Sequence, residues 1–174
     1  MEILLAKSAG FCFGVNRAIE AVYDVLGTDD IYTYGPIIHN KTVTESLEKQ
    51  GVKCVENIEE IKSGTIVLRS HGVGRQVYDN INKKGLKIID GTCPFVKKIH
   101  NIVHEKFNEG YRIIIAGDSS HPEVIGINGW CSNSAFIAKN TDEAAGFVPE
   151  AGEKYCMVVQ TTFRKSLLDS FRRA

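Results

Sequence analysis

Net charge, a membrane-length apolar run and a CxxC motif are all missing from this 174-residue sequence. Lysine and arginine together number 21, as do aspartate and glutamate. That balance, with no basic tail, argues against a dedicated nucleic-acid binder. No apolar run approaches the length of a bilayer span, so no membrane segment is expected. The opening Met1-Glu2-Ile3-Leu4-Leu5-Ala6-Lys7 has too short an apolar stretch, behind an acid, to act as a secretory signal. A cytoplasmic protein is expected by elimination. The five cysteines, Cys12, Cys54, Cys93, Cys131 and Cys156, are odd in number and widely spaced, which makes a poor disulfide framework. Without CxxC there is no local zinc knuckle or thioredoxin-like signature, so any metal centre must be assembled by the fold from distant residues.

What is present is a repeated strand–loop–helix grammar. Ile88-Ile89-Asp90-Gly91-Thr92-Cys93-Pro94 reads as a buried strand end, a tight turn carrying a thiol and a helix start. Thr92 is placed to cap that helix, and Pro94 suits its first turn, where no amide hydrogen is needed. Gly10-Phe11-Cys12-Phe13-Gly14 repeats the arrangement near the start, between a strand at Ile3–Ala6 and a helix whose Val15, Ala18, Ile19, Val22 and Leu26 share one face. A thiol beside a helix N-terminus at a strand's end is set for ligation or nucleophilic chemistry. Further strands are expected at residues 31–34, 52–55, 65–69, 86–89, 111–116, 135–138 and 154–159. Helices are expected at 42–49, 76–84 and 94–107, with a short turn at 58–61, a helical turn at 141–145 and a last helix from Phe163. This alternation predicts an α/β protein with mainly parallel sheets flanked by helices, in two consecutive small domains. The expected division is 1–13 for the first strand and cysteine loop, 14–94 for the first domain and 95–174 for the second.

Cys12, His39, His71, Cys93, His121, Glu123 and Thr161 all follow predicted strands. In parallel α/β structures that is the edge where ligands bind. Together they would offer thiolates to a soft metal, imidazoles and loop amides to an anion, and a carboxylate for proton transfer. Each also has a plainer reading. Cys12 and Cys93 can be structural thiols, His39 can belong to an ordinary turn, and Thr161 can cap the last helix. His71 lies between Ser70 and Gly72, a poor place for core filler. His121 and Glu123 are paired by sequence in one loop, read as 117–126. His100 and His104 are four apart on a helix, but with no HExxH or third local ligand they read as surface or packing residues. Cys54 reads as a buried small hydrophobe on its strand, and Cys131 and Cys156 as packing.

Six segments, Gly10-Phe11-Cys12-Phe13-Gly14-Val15, Gly35-Pro36-Ile37-Ile38-His39-Asn40, Arg69-Ser70-His71-Gly72-Val73, Thr92-Cys93-Pro94, His121-Pro122-Glu123-Val124 and Gln160-Thr161-Thr162, carry a resemblance in order and spacing. The chain resembles the N-terminal two thirds of the LytB (IspH) family of 4-hydroxy-3-methylbut-2-enyl diphosphate reductases, which act last in the non-mevalonate isoprenoid pathway. The resemblance implies a trefoil of three α/β parts around a 4Fe-4S cluster, with the third part absent here. It implies that Cys12 and Cys93 are cluster ligands. The family's third cysteine lies beyond this chain, and neither Cys131 nor Cys156 falls in a matching motif. It maps the diphosphate pocket onto His39, His71 and His121, proton delivery onto Glu123, and positioning of the substrate hydroxyl onto Thr161. It further implies an allylic diphosphate substrate, isopentenyl and dimethylallyl diphosphate as products, and a ferredoxin or flavodoxin as electron donor. Lacking one ligand, the isolated chain is expected to have little or no reductase activity. A non-catalytic α/β module binding a phosphorylated ligand is the alternative, as is a two-cysteine 2Fe-2S or zinc site bridging two chains.

Overall fold

The computed structural model of the chain describes residues 3–4 and 9–164. The elements run α1 (Phe13–Tyr23), β1 (Ile31–Tyr34), α2 (Lys41–Lys49), β2 (Lys53–Val55), a 3₁₀ turn (Ile58–Glu60), β3 (Thr65–Leu68), α3 (Arg75–Lys83) and β4 (Lys87–Asp90). They continue with α4 (Pro94–Asn108), β5 (Tyr111–Ala116), α5 (Pro122–Asn128), a second 3₁₀ turn (Gly129–Cys131), β6 (Phe136–Ala138), α6 (Thr141–Ala144) and β7 (Lys154–Val159). The expected α/β class is what forms. One parallel sheet has the order β2-β1-β3-β4 and the other β6-β5-β7. Because every pairing is parallel, all strands of a sheet end at the same edge, and the loops that follow them gather there.

The hydrophobic pattern explains the layers. On β3, Val67 faces one way and Ile66 and Leu68 the other, and all three are wholly buried. Val67 packs with Ala18 and Val22 of α1, Leu47 of α2 and Ile31 of β1. Ile66 and Leu68 pack with Ile81 of α3, Leu86 and Ile61 on the opposite face. Burial on both faces is what lets an unbroken Ile-Val-Leu run serve as an interior strand. Truncating Ile66 to Ala would cost ~2–5 kcal/mol through lost contact and the cavity left behind. In the second sheet, Ile113 and Ile115 of β5 pack on Val103 of α4 and on Val124 and Ile127 of α5.

Several expectations are corrected. Cys54 is exposed, not buried, because β2 is a three-residue edge strand with a neighbour on one side only. Ile3 and Leu4 are not in a strand and are 80% and 86% exposed, and the rest of the expected 3–6 strand lies outside the described residues. The first helix ends at Tyr23 rather than Leu26, and Gly27 turns the chain at φ +79°. Residues 117–126 are not all loop, since α5 begins at Pro122, with its proline in the first turn. Thr92 does not cap α4: Cys93 is the capping residue, and the Thr92 hydroxyl is buried without a hydrogen-bond partner. Phe163 and Arg164 are not helical, and the remainder of the expected last helix lies outside the described residues. No described helix is long and apolar enough to cross a membrane.

The two sheets meet through glycines. A Cβ on Gly129 would fall 2.5 Å from the Gly74 Cα, and one on Gly126 would fall 3.3 Å from the Gly72 carbonyl oxygen. Trp130 donates its indole N–H to the Val73 carbonyl at 2.9 Å. The loop after β3 is therefore seated directly on α5 and the turn that follows it.

Candidate active site at the converging strand ends

Five strand ends supply the side chains. After β1 the chain turns at Gly35 (φ +67°), whose N–H donates to the Val55 carbonyl at 2.7 Å, and runs on to His39. Asn40 then caps α2, its side chain accepting from the Val43 N–H at 3.2 Å. After β3 come Arg69, Ser70 and His71, with Gly72 in the left-handed region at φ +70°. After β5 comes His121, the capping residue of α5, whose Nδ1 accepts from the Glu123 N–H at 3.2 Å. That bond places the neutral ring's proton on Nε2, a donor aimed away from the helix.

The three imidazoles form a cluster. Ring centroids lie 4.9 Å apart for His39 and His71, 5.4 Å for His71 and His121, and 6.5 Å for His39 and His121. Burial, then the neighbouring His39, His121 and Arg69, push the half-buried His71 down to about 4. Arg69 adds a fixed positive charge that His71 feels. Its guanidinium lies on Gly35, where a Cβ would come within 2.9 Å of Nη1, and burial pushes its pKa below the ordinary value. Its Nε is buried with no hydrogen-bond partner. A half-buried His71 that resists protonation, beside two further imidazoles and an arginine, makes a site whose unmet electrostatic need is an anion.

Glu123 and Thr161 form the second group. Glu123 is 2% exposed. Its Oε1 accepts the Thr161 backbone N–H at 2.6 Å and its Oε2 accepts the Thr161 hydroxyl at 2.7 Å. Gln160 braces this corner, its Oε1 accepting the Asp118 N–H at 3.1 Å and its side-chain amide donating to the Thr162 hydroxyl at 2.9 Å.

The two cysteines form the third. Cys12 caps α1 and Cys93 caps α4, each with no side-chain capping bond, so both thiols are spared for other work. Both stand at the positive end of a helix dipole. They are brought together by Gly14, where a Cβ would come within 2.6 Å of the Cys93 Sγ. Cys93 N–H donates to the Ser70 carbonyl at 2.9 Å, which ties the thiol loop to the residue before His71. Among the described residues, no group of three or more histidine, cysteine, aspartate or glutamate side chains is arranged to hold a metal ion. Cys131 lies in the second core with its Sγ 3.2 Å from the Asn128 carbonyl, and Cys156 packs at its margin.

Six of the seven sequence-selected residues follow described strands, Cys12 alone standing at a helix start with no described strand before it, and the seven fall in three neighbouring groups. Arg69 and Gln160 were not singled out, although both lie inside the motifs that were. His100, read as surface or packing, is 1% exposed and stacks on Trp130 with centroids 5.4 Å apart. No sequence signal marks it beyond its place on the apolar face of α4.

A profile of the LytB protein matches residues 3–174. The chain is 48% identical over 170 residues to the 4-hydroxy-3-methylbut-2-enyl diphosphate reductase of Clostridioides difficile (strain 630), covering 96% of this chain and 61% of that protein. It is 49% identical over 168 residues to the reductase of the same name from Thermoanaerobacter sp. (strain X514), covering 93% and 58%. The solved E-1-hydroxy-2-methyl-but-2-enyl-4-diphosphate reductase from Plasmodium falciparum superposes with a TM-score of 0.89 at 32% identity, over 96% of this chain and 54% of that one. The chain therefore spans about three fifths of the length of these curated relatives. With a whole-length profile match and relatives near half identity, the chain belongs to the LytB family.

Proposed function

We propose that this chain carries the diphosphate pocket, the proton-handling pair and two of the cluster thiols of a 4-hydroxy-3-methylbut-2-enyl diphosphate reductase. The observation that carries the reading is the imidazole cluster of His39, His71 and His121 beside the Thr161-bound Glu123. The relatives are reductases of 4-hydroxy-3-methylbut-2-enyl diphosphate, and the site is suited to that substrate.

The residues fit an iron–sulfur cluster in part. Cys12 and Cys93 are uncommitted capping residues at adjacent helix starts, and Gly14 leaves the room that a Cβ would take from the Cys93 sulfur. In this reading a further thiolate comes from outside the described residues. When bound, a 4Fe-4S cluster would supply two electrons, one at a time, and a Lewis-acidic iron for the substrate's hydroxyl oxygen. The chain's own residues do the rest. His39, His71 and His121 donate N–H groups to the diphosphate oxygens, beside the charge of Arg69. The Thr161 hydroxyl, held on Glu123, is placed to hold the substrate hydroxyl and pass it a proton, so that water leaves rather than hydroxide. Overall the substrate's C–O bond breaks, two electrons and two protons are taken up, and a C–H bond forms in isopentenyl or dimethylallyl diphosphate. A ferredoxin or flavodoxin would provide the electrons.

The test is anaerobic reconstitution of the chain with iron and sulfide, beside titration with inorganic diphosphate. The reading expects iron uptake that is lost in both Cys12→Ser and Cys93→Ser, and diphosphate binding that is lost in His71→Ala but kept in the cysteine variants. Diphosphate binding with iron uptake indifferent to both cysteines would instead leave a phosphate-binding module.

A further inference from the structure

The turn that leads into Cys93 lies along α1. Gly14, Arg17 and Ala18, at positions i, i+3 and i+4 of that helix, meet Cys93, Thr92 and Gly91 in that order. A Cβ on Gly14 would fall 2.6 Å from the Cys93 Sγ, and one on Gly91 would fall 3.4 Å from the Ala18 Cβ. Between these two contacts Nη1 of Arg17 donates to the Thr92 carbonyl at 2.8 Å. Cys12 caps this same helix, so the bond runs from the helix of one thiol to the turn of the other. The chemistry proposed above makes no use of it.

The bond falls on one particular peptide. The Thr92 carbonyl and the Cys93 N–H belong to a single planar unit, immediately before the Cys93 Cα. On one side its N–H donates to the Ser70 carbonyl at 2.9 Å, and on the other its carbonyl receives Arg17. With both ends held the plane cannot turn, and the direction in which the Cys93 side chain leaves the backbone is set. The turn has no slack upstream either. The Asp90 carboxylate accepts the Thr92 N–H at 3.0 Å through one oxygen and Nζ of Lys97 at 2.6 Å through the other. Thr92 is wholly buried, so water is not at hand to replace the guanidinium. We propose that Arg17 is a positioning residue: by holding the Thr92 carbonyl it fixes the Cys93 thiol against the helix that Cys12 caps. The proposal rests on the cluster reading for iron uptake alone, and the pairing of the thiols is read without it.

The experiment compares Arg17→Met, which keeps the stem and loses the donor, with Arg17→Lys, which keeps a charged donor. Dibromobimane, which fluoresces once both its arms have alkylated thiols, is added to the full chain, and the Cys12–Cys93 cross-link is quantified by mass spectrometry. Iron content after anaerobic reconstitution is the second readout, and alkylation of the buried Cys131 monitors the fold. Arg17→Met is expected to lower the cross-link and the iron content, each by about threefold or more, with Cys131 as protected as in the parent, while Arg17→Lys stays within about twofold of the parent. An Arg17→Met chain that cross-links like the parent overturns the proposal, as does an Arg17→Lys chain that falls as far as Arg17→Met. So does a parent in which Cys12 and Cys93 do not cross-link. Where Arg17→Met exposes Cys131, Arg17→Gln, whose amide is too short to reach Thr92, is read in its place by the same criteria. If the parent takes up no iron, the cluster reading fails, and the cross-link still decides the role of Arg17.

Discussion

Thr161 holds both oxygens of the Glu123 carboxylate, one through its backbone N–H at 2.6 Å and the other through its hydroxyl at 2.7 Å. The carboxylate is 2% exposed, so water cannot replace a lost donor easily. Thr161→Val removes the hydroxyl at nearly constant volume and leaves a buried oxygen unmet, at an expected cost of about 1–3 kcal/mol. Thr161→Ser keeps the donor and should recover most of it. Urea unfolding of the three proteins measures this, and equal midpoints for the valine and serine variants would contradict the pairing.

Gly14 is where the two thiol loops touch. Gly14→Ala puts a methyl 2.6 Å from the Cys93 sulfur, on a backbone that is already helical, so the collision is the whole effect. Overpacking of this kind costs about 1–3 kcal/mol. The expected outcome is a lower melting temperature together with reduced iron uptake on reconstitution. A variant that melts and loads like the parent would show that Cys93 does not rest there.

Stability should fall as acid is added, over a defined window. His71 and His100 are both held down to about 4, each chiefly by burial, whereas the unfolded chain protonates its histidines near 6.5. Below the unfolded value the unfolded state binds more protons than the folded one, so stability is lost as pH drops from about 6.5 towards 4 and is fully present above it. His100→Gln should flatten the part of that slope owed to His100. For His71 the same logic predicts proton uptake on binding inorganic diphosphate at pH 6, read by calorimetry in two buffers of different ionisation enthalpy.

Gly129 ends α5 with helical dihedrals, so Gly129→Ala carries no backbone strain, yet its Cβ would meet the Gly74 Cα at 2.5 Å. The contact joins the two sheets, so the variant should destabilise by about 1–3 kcal/mol. Gly146→Ala, whose nearest neighbour would be the Glu143 carbonyl oxygen at 3.3 Å, is the control. Hydrogen exchange should quicken in the loop after β3 for Gly129→Ala alone.

What the sequence made legible follows from local physics. Ile31–Tyr34, Tyr111–Ala116 and the run ending at Leu68 could be read because strands between neighbours need unbroken apolar or β-branched stretches. The site residues could be placed at strand ends because glycine and proline punctuate those ends. Cys54 was misread because strand composition does not say which strand lies at an edge. Thr92 was misread as a cap because propensity ranks threonine over cysteine, while here the fold buries the threonine and leaves the thiol at the helix start. The burial of His100 was hidden for a different reason. It depends on Gly72, 28 positions earlier, and on Trp130, 30 positions later, and no local pattern links the three.

The Gly74–Gly129 contact has no side chain on either side. The distance between the halves is therefore set by bare backbone, which no exchange of one residue for another can shorten. Replacement at either position can only widen it, and widening separates His121 from His71. Along any lineage that keeps the imidazole cluster, these two positions should be the slowest to change, although neither lies among the residues that would touch a substrate.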